Sequence, residues 1–106
     1  MADIRSIEFS DALHCLQGLI GADLQIIINF HGTLCGCYMV GRLAKIETLQ
    51  PDDAAVNLVI DERNGVLLDP DDIVEILVGG DLDNDGSIEF HLPSEIAIRI
   101  DRKLDK

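Results

Sequence analysis

Three stretches carry residues whose types and spacing suit chemistry. Asp81-x-Asp83-x-Asp85-Gly86-Ser87-Ile88-Glu89 follows the first nine positions of a calcium loop. Three alternating carboxylates supply the hard oxygens that such an ion takes, and a glycine stands at the sixth position. The twelfth position, where a bidentate glutamate belongs, is Leu92, and the flanks read as strands. An Asp- and Gly-rich turn explains the same residues, because both types tolerate tight-turn dihedrals. Asp81, Asp83 and Asp85 are therefore candidate calcium ligands set against a plain turn, and no cofactor is expected. Cys35-x-Cys37, with Cys15, His14, His31 and His91, raises zinc. A structural zinc site usually draws on four ligands in paired motifs, and two thiols spaced by one residue on a strand serve equally as small core residues.

The third stretch is acidic. Residues 51–85 hold eleven acids and one base, Arg63. Asp52-Asp53 and Asp71-Asp72 lie beside prolines, where solvated turns are the simplest reading. No glycine-rich phosphate loop and no nucleophile elbow occurs, so the expectation is a protein that is not an enzyme.

Charge sharpens this. Twenty Asp and Glu against eight Lys and Arg give a net charge of −12. A protein that tracks phosphates needs concentrated cations, and here the average field repels them. The cations that cluster are Arg99, Arg102, Lys103 and Lys106, diluted by Asp101 and Asp105. Arg99, Arg102 and Lys103 form the candidate basic patch. No 18-residue apolar run occurs, so no membrane partner is expected. The first residues carry charges in place of an apolar leader, and the sparse, odd-numbered cysteines fit reduced thiols, so a cytoplasmic location is expected.

The elements that must position these residues follow from periodicity. The 106 residues suffice for one domain, with aliphatic residues in place of aromatics, which make up 4%. Residues 1–9 show no clear pattern. Ser10 reads as a helix N-cap, and Leu13, Leu16, Leu19 and Ile20 recur at helical spacing up to Gly21, predicting a helix over 10–20. Leu24, Ile26, Ile28 and Phe30 alternate with Gln25, Ile27 and Asn29 as a strand, with a turn at His31-Gly32. A long return strand bends at Gly41, where the apolar phase changes. Val56, Leu58 and Ile60 mark a third strand, and Asn64-Gly65 is a hairpin turn signal. Residues 73–78, 87–92 and 96–100 read as further strands. Tight turns joining short strands after one helix predict an all-β small barrel.

This order resembles the Sm-like family. Leu16–Gly21 followed by Leu24-x-Ile26-x-Ile28 looks like the family's helix end and first strand. Gly41-x-Leu43 is similar to its bent second strand. Asp53-x-x-Val56-Asn57-Leu58-Val59-Ile60 resembles the end of its first motif. The second motif's arginine has no counterpart. Leu68-Asp69-Pro70 before Ile73 and Leu92-Pro93-Ser94 before Ile96 compete for that place, and the later one is preferred because members end soon after their fifth strand. The resemblance implies a single domain: a strongly bent five-stranded SH3-type barrel over 23–100, an N-terminal helix, an inserted hairpin over 64–80 and a tail over 101–106. It implies a homo-oligomeric closed ring of roughly five to seven subunits. It also implies single-stranded RNA as ligand, with Asp53 and Asn57 as contacts and His31 or Tyr38 as the stacking side chain. The competing expectation is a homo-oligomeric scaffold that binds a protein partner through its acidic surface, without RNA.

Overall fold

The computed structural model describes residues 4–30, 36–50, 53–80 and 86–102. Its strands are β1 (Ile4–Ser6), β2 (Asp23–Phe30), β3 (Gly36–Gln50), β4 (Asp53–Ile60), β5 (Asn64–Leu68), β6 (Glu75–Gly79), β7 (Ser87–Leu92) and β8 (Ile96–Arg102), with one helix, α1 (Phe9–Gln17). Single 3-10 turns occupy Pro70–Asp72 and Pro93–Glu95. The strands form one sheet in the order β1-β6-β7-β8-β2-β3-β4-β5, and every pairing is antiparallel. The protein is thus mostly antiparallel sheet with one helix. No helix among the described residues is long and apolar enough to cross a membrane.

β3 organises the sheet because its fifteen residues belong to both halves. Residues 36–42 pair with β2, and 43–50 pair with β4, with a register shift between Leu43 and Lys45. The backbone of the bend is fully committed. Arg42 donates its N–H to the Asp61 carboxylate at 3.0 Å, and its carbonyl accepts from the Asp61 N–H at 2.9 Å. Leu43 turns the other way, donating to the Ala22 carbonyl and accepting from the Gly21 N–H, at 3.1 and 2.8 Å. The bend folds the two halves around one aliphatic core. Leu24, Ile26, Leu43, Leu58, Ile60, Leu68, Val78, Ile88, Phe90 and Ile100 are nearly fully buried, and α1 adds Ala12 and Leu16. β2, β4, β5, β6, β7 and β8 contribute alternate residues to this core, as the pleat requires, and β1 is exposed throughout.

Several expectations are corrected. The sheet has eight strands and not five, and it is open: among the described residues its terminal strands, β1 and β5, do not pair with each other. The extra strands come from short apolar segments that had to find partners. Residues 75–79 pair with 87–92, and the patternless 4–6 joins as an edge. No hairpin spans 64–80, because β5 pairs back onto β4 while β6 crosses to β7. The β4–β5 turn is Asp61–Arg63 and not Asn64-Gly65. Asp61 and Glu62 take the left-handed conformation, at φ 54° and 67°. Gly65 lies inside β5, where the Asn57 side chain occupies the space of a Cβ. The helix begins one residue before Ser10, with Glu8 at the N-cap, because Phe9 packs on the core and the Glu8 carbonyl already accepts from Ala12. It ends at Gln17, so Ile20 leaves the helical phase and stands exposed.

Candidate functional site

The outward side chains of the wider half of the sheet line up in rows fixed by strand register. One row runs Tyr38, Ile27, Arg99, Glu89 and Leu77 across β3, β2, β8, β7 and β6. A parallel row runs Val40, Gln25, Asp101 and Ser87. Neighbours on this face bond both across strands and along them. Tyr38 Oη donates to Gln25 Oε1 at 3.1 Å, Arg99 Nε to Asp101 Oδ1 at 3.1 Å, and His91 Nε2 lies 3.2 Å from Glu89 Oε2. These contacts are partly solvated, and each is worth on the order of 0–1 kcal/mol. What they do is hold a mixed polar face in one arrangement. Tyr38 is 64% exposed within it.

The residues singled out in sequence fall in different places. Tyr38 and Arg99 share the row just described, flanking Ile27. Arg102 does not join Arg99: three residues on, it sits in the opposite phase of β8, opposite Leu24. The candidate basic patch is thus divided between two faces, and Lys103 lies outside the described residues. Asn57 lies on the other half of the sheet, between Glu47 and Leu67. Eight residues of β3, including its bend, separate Glu47 from Tyr38. Asp53 stands opposite Gln50 at the start of β4. His31, Cys35, Asp81, Asp83 and Asp85 lie outside the described residues. Cys37 is exposed and Cys15 half-buried. Among the described residues no three of His, Cys, Asp and Glu gather closely enough to hold a metal ion.

Two features were not anticipated. Gln25, Ile27 and Glu89 belong to the outward face, and their alternation with core residues was the available signal. A second feature is a shallow cleft of about 330 Å³ at the bend, lined by Asp23, Arg42, Ala44, Asp61 and Glu62. Arg42 lies 3.7 Å from Asp23 there, as an exposed pair. No local pattern announces this cleft, because it forms where β4 turns back over β3.

Comparison of the chain with family models, with curated proteins and with solved structures returns no significant match.

Proposed function

We propose that the chain is a binding scaffold that works as a homo-oligomer and presents an acidic surface to a protein partner. The observation that carries this reading is the pair of strands at the ends of the sheet, β1 and β5, each of which pairs on one side only among the described residues. An open strand edge is a template for another strand, and proteins blunt such edges with shortness, charge or proline. β1 is three residues long and contains Arg5. β5 runs five residues, Asn-Gly-Val-Leu-Leu, with neither charge nor proline. The Sm-like resemblance adds that copies join by strand pairing, as a ring. The net charge of −12 favours a protein partner over a polyanion.

Sedimentation at low and at physiological salt tests this. Copies carrying like net charge repel, and salt screens that repulsion, so the oligomer is expected to tighten as salt rises. A monomer at high micromolar protein in both buffers overturns the reading.

One observation favours a second reading, single-stranded RNA. Tyr38 offers a stacking surface in the same row as the Arg99 cation, a combination that holds bases without reading sequence. Short oligo-U or oligo-A is then expected to shift the protein at low salt, and Tyr38→Ala to weaken binding by about tenfold, the scale of one lost stack. Here affinity falls as salt rises, the reverse of the self-association trend. No shift at micromolar protein removes this reading.

A further inference from the structure

We propose that the free edge of β5 is a self-complementary docking strand, and that its partner is β5 of a second copy, antiparallel about a two-fold axis at Val66. The inference rests on the reading that the chain self-associates, and it exchanges a head-to-tail ring contact for a two-fold one.

The edge is available. Among the described residues β5 pairs with β4 alone, and no backbone bond joins its other side. The register then follows from the pleat. A sheet continuous across a two-fold axis sets residues of the same face opposite one another, so the axis passes through a residue. Placing it at Val66 is the one choice that pairs all five residues of the strand.

That register is also complementary in shape and charge. On the outer face Leu67 is 59% exposed, and it falls opposite Gly65 of the second copy, where no side chain competes for space. The exchange occurs twice, once on each side of the axis. Beyond the strand, Arg63, the last residue of the β4–β5 turn, and Asp69 stand three positions to either side of Val66. Each meets its opposite charge, again twice. Moving the axis to Gly65 puts Arg63 against Leu67 and leaves Leu68 and Asp69 without a β5 partner. Moving it to Leu67 puts Asp69 against Gly65. Neither alternative matches the pattern. Residues 51–85 contain one base, Arg63, and it stands where the symmetry needs it.

Charge reversal separates this contact from others. Arg63→Glu alone and Asp69→Arg alone each set like charges against each other twice, and each is expected to weaken the dimer by about tenfold or more. Mixing the two variants restores opposite charges at both positions, so a heterodimer is expected although neither variant dimerises by itself. The double variant Arg63→Glu/Asp69→Arg is expected to recover the homodimer. Asp69 Oδ1 accepts from the Asp71 N–H at 3.0 Å, so melting curves of each variant check that the turn survives its loss. Recovery on mixing also shows that both variants are folded. An oligomer that neither single reversal weakens, or one that mixing fails to restore, overturns the β5 pairing while leaving self-association standing. A β5–β1 contact gives the first of these outcomes. A wild-type monomer overturns both.

Discussion

Phe90→Ala is expected to lower stability by about 3–5 kcal/mol, the usual range for removing a fully buried phenylalanine. The ring has no exposed surface and is the bulkiest of the fully buried side chains. It sits on β7 opposite Ile76 of β6 and Ile98 of β8, and each of these is buried as well. The loss combines the transfer of the ring out of the core with a cavity that three paired strands are too constrained to close. Phe90→Leu keeps most of the volume and is expected to cost less, at about 1–2 kcal/mol. Val74→Ala is the control: Val74 is 71% exposed, and the change is expected to stay within about 0.5 kcal/mol. At roughly 4–8 °C per kcal/mol for a domain near this size, Phe90→Ala lowers Tm by more than about 12 °C. Denaturation at one fixed protein concentration checks all three, since self-association makes apparent stability concentration-dependent. A loss under about 1.5 kcal/mol for Phe90→Ala contradicts a core centred on β7.

Period-two alternation made much of the core legible. Val56, Leu58 and Ile60, or Ile98 and Ile100, declare which side of the strand is buried, because one face must leave water. The same rule places Arg99 and Arg102 on opposite faces, so the division of the basic patch was legible once β8 was accepted as reaching Arg102. Pairing was legible only in part. The Asn64-Gly65 signal implied that Val66–Leu68 pair back, and β5 does pair with β4. But alternation states only that a strand has a buried face, and nothing in residues 69–80 says that β6 pairs with β7 and not with β5. That choice is made by the whole core. β1 lacks a readable period, since three residues are too few to show one. The Asn64-Gly65 signal misled for a specific reason. Local preference for positive φ located a turn there, but the turn falls at Asp61 and Glu62, where Asp61 makes two hydrogen bonds to Arg42. Tertiary contact outweighed local propensity, and the glycine, inside β5, leaves room for the Asn57 side chain. The long, bent β3 was itself legible in the change of apolar phase at Gly41, but the separation of Asn57 from Tyr38 follows from which strands its two halves pair with, and alternation does not state that.

The bend itself supplies the other large effect. Gly41→Ala is expected to cost about 2–3 kcal/mol, in the range for forcing a methyl into a packed site. A Cβ there would come within 2.4 Å of Ile60 Cγ2 and 2.5 Å of Asp61 Oδ2. Neither neighbour yields easily. Ile60 is fully buried, and Asp61 is tied to Arg42 through both its carboxylate and its backbone N–H. The entropy that alanine removes from the unfolded chain, worth about 0.4–1 kcal/mol, offsets only part of this. Gly65→Ala makes the contrast. Its Cβ would meet Asn57 side-chain atoms alone, the nearest at 2.4 Å, and a rotation of Asn57 relieves that contact, so the cost is expected to stay below about 1 kcal/mol. The two causes at Gly41 separate in a double-mutant cycle with Asp61→Ala. The single Asp61 change loses the bond to Arg42, and the double variant loses the bond and one of the two clashes together. Its destabilisation is therefore expected to fall short of the sum by about 1 kcal/mol, within the range for residues in contact. Strict additivity in urea denaturation would mean that Ile60 alone resists the methyl and that the Asp61 clamp does not hold the strand at its bend. A shortfall near the expected size places the clamp at the point where β3 passes from one half of the sheet to the other. It would also tie the position of β4, and with it the β5 edge, to a single carboxylate.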